Sequence, residues 1–361
     1  MSRQPPVKIH KRSSASTAEP GTSTDMSSPL ERLRANIGSV YLGNAEAIDR
    51  IMCCLIARGH VLIEDVPGVG KTVLASAVAR SINCSFSRIQ LTPDMLPSDI
   101  LGVSVYRPGG APAESGLNGK SPHPGAAGNG AGGFTGHFEF KKGPIFANVV
   151  LADEINRTPP RTQTALLEAM NEATVTVDGF TYRLDAPFMI VATQNPDDFE
   201  GTYLLPENQL DRFLMRLNLG YPAPADEARV LSLRPADNAL QHLRPVMSAE
   251  EVVGLQRQAD EVRVEQALID YIIALAGATR RAEELRLGLS PRGALALAQA
   301  ARATAVLHAR DYVIPEDITT NVVPVGAHRV ITRAYATSGR RAGDLAAEVL
   351  LRVMDSIPSP A

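Results

Sequence analysis

One stretch of twelve residues, VLIEDVPGVGKT at 61–72, constrains this chain more than any other. Val61, Leu62 and Ile63 form a short apolar run suited to a strand buried on both faces. Pro67, Gly68 and Gly70 then turn the chain, and a helical pattern runs from Lys71 to about Arg80. Strand, glycine turn and helix N-terminus, ending in Gly70-Lys71-Thr72, are what a phosphate-binding loop needs. Phosphates carry several negative charges. The N–H groups of a glycine turn and the positive end of a helix dipole converge on one point. Glycine lets the backbone approach without a Cβ clash. Residues Asp65, Val66, Pro67, Gly68, Val69, Gly70, Lys71, Thr72 and Val73 are therefore the expected nucleotide cradle. Lys71 supplies charge for the outer phosphates, and the Thr72 hydroxyl is a ligand for magnesium. The full signature has glycine where this chain has Asp65, so the match is to a relaxed form. The bland alternative is a glycine-rich turn with a surface lysine.

The chain has 361 residues, 44% of them apolar, which is enough for two domains and a large core. Its formal net charge of −3 gives no global field toward nucleic acid or membrane. Cys53, Cys54 and Cys84 match neither a metal spacing nor a disulfide framework, which suits small core residues in a reducing cytosol. A cytoplasmic protein is the expectation. No apolar run reaches membrane-spanning length. Lys8, Lys11 and Arg12 have no apolar segment behind them, so the start does not read as a secretory signal.

Residues 1–27 are rich in Ser, Thr and Pro, and read as a disordered tail. Helical patterns cover Leu30–Ile37 and Ala45–Ala57, and Val40-Tyr41-Leu42-Gly43-Asn44 between them is either an interhelix turn or a cover for an adenine ring. Ser85–Leu91 reads as a strand. Residues 109–136 are dense in Gly, Pro, Ala, Ser and Asn and read as a mobile insert, with Gly102–Tyr106 and Phe138–Lys141 free to pair around it.

Asn148–Ala152 is a second buried strand, and it delivers Asp153 and Glu154 at its C-terminal end. Asp153 is placed to hold magnesium through water, and Glu154 to polarise an attacking water. The alternative is a loop with two solvated acids. A helix follows over Arg161–Ala173. Asp178-Gly179 is a strong hairpin signal between Val175–Val177 and Phe180–Leu184. Phe188–Ala192 is a third buried strand, and Asn195 just beyond it can touch both phosphate and water. Arg212 lies in a half-apolar stretch, where an arginine is costly to bury without an anion. Its rival role is an ion pair with Asp211 or Glu207. From Asp226 onward the pattern is all helical, with a capping box at Ser248-x-x-Glu251 and a Ser-Pro helix start at Ser290-Pro291-Arg292. A small helical domain over 221–361, after a core over 28–220, is the expected organisation.

Together the strings LIEDVPGVGKT, RIQLTPDMLPSDILGVSVY, FEFKKGPIFANVVLADEINRTPP, TQTALLEAMNEATVTVDG, VATQNP and EGTYLLPENQLDRF resemble the MoxR family of AAA+ ATPases. The resemblance implies an α/β P-loop NTPase core with a parallel sheet and a C-terminal helical lid. It also implies a ring, usually a hexamer. Lys71 and Thr72 become Walker A, Asp153 and Glu154 Walker B, and Asn195 sensor 1. Arg212 becomes the arginine finger and Arg292 sensor 2, reaching from the lid. ATP and Mg²⁺ are the implied cofactors. The implied work is remodelling of a client protein, linked in the family to metallocofactor insertion and to partners with a von Willebrand factor A domain. The insert at 109–136 is longer than the family pattern, and Asn44 stands where glutamine is common.

Two rivals have different chemistry. An ATP-gated scaffold would need no turnover, which the intact Glu154 and Asn195 speak against. A nucleic-acid motor would need basic runs interleaved with aromatics, and only Lys141-Lys142 is suggestive.

Overall fold

The computed structural model describes residues 28–65, 68–108, 136–195, 203, 205–232, 237–333 and 342–360. The tail at 1–27 and nearly all of the insert lie outside them, as do Val66 and Pro67. Helices α1 (Pro29–Gly38) and α2 (Ala45–Ile56) precede β1 (Val61–Glu64) and α3 (Lys71–Ser81). Then come β2 (Phe86–Gln90), α4 (Pro97–Leu101), β3 (Gly102–Pro108), β4 (Gly136–Lys142), β5 (Val149–Asp153) and α5 (Pro160–Glu172). A hairpin of β6 (Thr174–Val177) and β7 (Phe180–Arg183) leads to β8 (Met189–Gln194), α6 (Glu207–Leu210) and β9 (Met215–Leu217). The C-terminal part holds α7 (Pro224–Ser232), α8 (Asp237–His242), α9 (Ala249–Glu261), α10 (Gln266–Arg281) and β10 (Leu285–Leu287). It ends with α11 (Pro291–Leu307), α12 (Pro315–Thr319), α13 (Val322–Gly326), β11 (Ile331–Thr332) and α14 (Ala342–Asp355).

The main sheet has five strands in the order β2-β5-β8-β1-β9, every neighbouring pair parallel. Its three central strands, β5, β8 and β1, are nearly continuous apolar runs because both faces are covered. Alternation sorts them. Val61, Ile63, Val149, Leu151, Met189 and Val191 face one apolar cluster with α1, α2 and α3. Leu62, Val150, Ala152, Ile190 and Ala192 face the other, with α5. Parallel polarity puts Glu64, Gln90, Asp153 and Gln194 at one edge of the sheet. Residues that lead into strands, such as His60 and Leu214, lie at the other.

The α/β class and the parallel sheet agree with the sequence reading. The paired β3 and β4 flank the insert as expected, and Asp178 and Gly179 both have positive φ, as a tight two-residue hairpin requires. The C-terminal region departs from an all-helical pattern, because β10 and β11 pair antiparallel. These strands are two and three residues long and distant in sequence, so no local turn marks them. β9 also went unread, because three residues carry too little periodicity. The C-terminal helices bury directly against the core: the side chain of Gln256 donates to Leu55 O at 2.8 Å, and Cys53 Sγ lies 3.4 Å from Ala300 O. The alanines of α11, including Ala296, Ala300 and Ala301, allow that close approach.

His60 ties the lower edge together. Its Nδ1 accepts from Ile190 N at 3.0 Å, and its Nε2 donates to Met170 O at 2.9 Å. That pattern needs the neutral ring, and burial pulls the pKa down to about 4, against the opposing pull of the Met170 carbonyl. Buried His328 is depressed in the same direction, by burial and then by Arg329. The unfolded chain takes up protons first, so this stability is complete above pH 6.5 and is lost as the pH falls toward about 4. For His60 alone the loss is roughly 3 kcal/mol at about 1.4 kcal/mol per pH unit. Urea unfolding between pH 7 and pH 4 should give a steeper loss for the wild type than for His60→Asn. Parallel curves would remove His60 as the cause.

Candidate nucleotide-binding site

The phosphate loop is built by two left-handed turns and an uncapped helix. Gly68 has φ 91° and Gly70 φ 87°, values that side chains rarely tolerate. Gly70 is the N-cap of α3 and offers no side-chain oxygen, so the first N–H groups of α3 lack a side-chain cap. Such donors, at the positive end of an eleven-residue helix, suit an anion. Lys71 is half-buried, and its Nζ donates to Asp65 O at 2.6 Å. Burial lowers its pKa, while Asp65, Asp153 and Glu154 act the other way.

A cavity of about 350 Å³ lies over this loop, lined by Gly68, Gly70, Lys71, Thr72, Val73, Arg88, Gln90, Asp153, Glu154, Thr193 and Asn195. The strand ends thus bring together the two carboxylates, the lysine, the threonine and the asparagine expected from sequence. Val69 is buried beside them. Val66 and Pro67 lie outside the described residues.

Asp65 has a different task. Its carboxylate accepts from the N–H groups of Leu219 and Gly220 at 2.7 and 2.8 Å, and it does not line the cavity. The residue that departs from the glycine signature therefore ties the loop to the chain leaving β9. Tyr41 packs against the same turn, where a Cβ on Gly70 would lie 3.3 Å from its ring. Burial, then Asp65, pushes the Tyr41 phenol up to about 12. Asn44 caps α2 through the N–H of Glu46 at 2.9 Å.

Four side chains complete the carboxylate pair, and the sequence reading missed all of them. Thr193 Oγ1 donates to Asp153 Oδ1 at 2.6 Å and accepts from Glu154 N at 3.0 Å. Arg88 donates to Asp153 Oδ2 at 2.7 Å. Gln90 donates to Glu154 Oε2 at 3.3 Å, and Arg157 pairs with the same oxygen at 3.1 Å. Glu154 itself is left-handed, with φ 59°. Two-residue spacing puts Arg88 and Gln90 on one face of β2, but only the register of β2 with β5 in the fold brings them to the carboxylates. Thr72 and Asp153 offer a hydroxyl and a carboxylate, hard oxygens that fit magnesium once water and phosphate complete its shell.

Arg212 and Arg292 are absent from this cavity. Both line a second one, of about 370 Å³, with Arg58, Arg302, Arg329 and Asp211. Arg212 donates to Leu167 O. Neither rival ion pair forms: Asp211 binds Arg329 at 2.8 Å, and Glu207 binds Arg286 at 3.0 Å. Arg292 donates to Asn171 Oδ1 at 2.9 Å. Arg212 precedes β9, at the strand starts, and a four-residue strand at about 3.3 Å per residue separates the two edges by about 13 Å.

Residues 60–114 and 132–215 match the family model described as the ATPase family associated with various cellular activities, and residues 277–349 match an AAA lid domain. The chain is 35% identical over 364 residues to Chaperone MoxR1 of Mycobacterium tuberculosis, spanning 97% of this chain and 88% of that one. It belongs to the MoxR family of AAA+ ATPases. Another relative, the uncharacterised protein YeaC of Bacillus subtilis, is 43% identical over 93% of this chain and 96% of its own. A crystal structure of a protein assigned as an ATPase, from Cytophaga hutchinsonii, superposes with a TM-score of 0.76 at 34% identity, covering 92% of this chain and 95% of that one. No helix among the described residues of this MoxR-family chain is long and apolar enough to cross a membrane.

Asp65→Gly gives the loop its full signature but removes two hydrogen bonds to the carboxylate. Bonds of that kind are worth about 1.5–3 kcal/mol each. The expected result is a lowered urea midpoint with no tighter binding of a fluorescent ATP analogue. Unchanged stability would show that Asp65 is not the tie between loop and β9.

Proposed function

We propose that this MoxR-family protein hydrolyses ATP at the interface between protomers of a homo-oligomeric ring, and uses the cycle to remodel a client protein. The observation that carries this reading is the polarity of the sheet. Lys71, Thr72, Asp153, Glu154 and Asn195 share the upper edge, and Arg212 and Arg292 share a cavity reached from the lower one. One protomer cannot bring both sets to one phosphate, whereas two neighbours can.

In this reading the first N–H groups of α3 and Lys71 hold the phosphates. Thr72 and Asp153 would hold magnesium, which supplies counter-charge to the phosphate oxygens. Thr193 fixes the Asp153 carboxylate and the Glu154 backbone. Glu154 takes the proton of the attacking water, and Asn195 orients that water. Gln90 and Arg157 hold the Glu154 carboxylate and must release it for that step. Arg212 from the neighbour, with Arg292 beside it, meets the charge that develops on the transferred phosphoryl group.

The division into a core over 28–220 and a lid over 221–361, a ring of six and a cytoplasmic setting belong to the same proposal. A client protein is supported by the chaperone name of the MoxR1 relative. Metallocofactor insertion and a von Willebrand factor A domain partner rest on the family resemblance alone.

Two outcomes are expected. Glu154→Gln should bind an ATP analogue as the wild type does, with turnover reduced about 10²–10⁴-fold, the usual worth of a general base. Normal turnover would remove Glu154 from that role. Lys71→Ala subunits, which keep Arg212, mixed with Arg212→Ala subunits, which keep the phosphate loop, should regain hydrolysis. Each variant alone should be nearly inactive, since a finger is worth about 10³–10⁵ in rate. Absence of recovery in verified mixed assemblies would rule out a shared site.

A further inference from the structure

Arg329 follows α13 in the C-terminal region, and its side chain is only 3% exposed. All three of its nitrogens are used. Nε donates to Asp211 Oδ1 at 2.8 Å. Nη2 donates to Asp211 O at 3.2 Å and to Phe213 O at 2.7 Å. Nη1 donates to Leu214 O at 3.0 Å and to Val325 O. Its partners thus bracket residue 212 on both sides without touching the Arg212 side chain. His328 adds a contact of 3.0 Å between its Nε2 and Phe213 O. The remaining carboxylate oxygen of Asp211 faces Arg292 Nε at 3.7 Å.

We propose that Arg329 is a positioning residue for Arg212, holding the backbone on both sides of that arginine so that its guanidinium is presented to the neighbouring protomer. Asp211 is the shared anion, fixed by Arg329 on one oxygen and facing Arg292 with the other. This rests on the reading that Arg212 acts across the interface. A buried arginine is a weak device for stability alone, because its desolvation offsets most of what its partners return. It is a strong device for geometry, because a rigid fork of donors fixes several acceptors at once. The donor belongs to the lid, and all its acceptors except Val325 O belong to the segment entering β9. Any shift of the α13 end against β9 therefore moves residue 212. Nucleotide-driven motion of the lid would reach the finger along this route.

The test uses the full-length assembled protein. Arg329→Lys keeps the charge and loses the fork. Its turnover should fall about 10²-fold, the cost of misplacing a catalytic group by about 1 Å, with the affinity for a fluorescent ATP analogue unchanged. The loss should behave as a finger defect. Mixing with Lys71→Ala subunits should restore hydrolysis, as it does for Arg212→Ala, and mixing with Arg212→Ala subunits should not. Wild-type turnover in Arg329→Lys overturns the proposal. So does recovery of the Arg212→Ala mixture without recovery of the Arg329→Lys mixture, because the defect then lies in the variant's own site or assembly. If the Arg212→Ala mixture itself fails in verified mixed assemblies, the shared-site reading falls and this proposal with it. Should Arg329→Lys not assemble, Asp211→Asn takes its place. That variant keeps the guanidinium–carbonyl bonds and weakens the shared anion, and the same mixing pattern is expected.

Discussion

Every functional placement in this protein follows from the direction of five strands. Parallel pairing puts all C-terminal strand ends at one edge, and the chain can only achieve it with helical crossovers covering both faces. Three chemically different side chains, far apart in sequence, then converge without any local signal linking them. Lys71 comes after β1, Asp153 ends β5, and Asn195 follows β8. β1 lies between β8 and β9, where the strand order reverses. Open parallel sheets bind ligands at such a point, outside the carboxyl ends. The same polarity sends Arg212 to the opposite edge, ahead of β9.

At the upper edge the site is held by polar contacts more than by packing. Asp153 is engaged on both oxygens, by Thr193 and by Arg88. Glu154 is engaged by Gln90 and Arg157. Lys71 rests on the carbonyl of Asp65. Each contact is a charge-assisted hydrogen bond that can be exchanged for a phosphate oxygen, a cation or a water at little net cost. Beneath them the strands are rigid, with Val150, Leu151 and Ala152 completely buried. A stiff apolar floor under exchangeable polar groups keeps positions fixed while partners change.

The lower edge is tied to the C-terminal helices. Gln256 and Cys53 join α9 and α11 to α2, and Arg329 joins the α13 end to the chain entering β9. Lid and core therefore meet through named polar contacts set in a continuous apolar cluster. Two cavities, one at each edge, divide the candidate site residues between them.

Much of this was legible in the chain itself. The glycine loop, the apolar runs at 61–63, 149–152 and 189–192, the Asp178-Gly179 turn and the Ser248 and Ser290 caps are local events. Steric and hydrogen-bonding rules act within a few residues there, so spelling alone determined them. The β10–β11 pair, β9, the tie from Asp65 to Gly220 and the contacts of Arg88 with Asp153 were not legible. Each joins residues that only the folded chain brings together, and loop closure over such distances leaves no periodic trace. Tertiary structure also decided the setting of Arg212. The sequence supplied an arginine with two acidic neighbours. The fold handed those acids to Arg329, Arg292 and Arg286, and left Arg212 on the carbonyl of Leu167 at the wall of a cavity. Charge pairing is settled by distance in space, and distance in space is what a linear sequence does not carry.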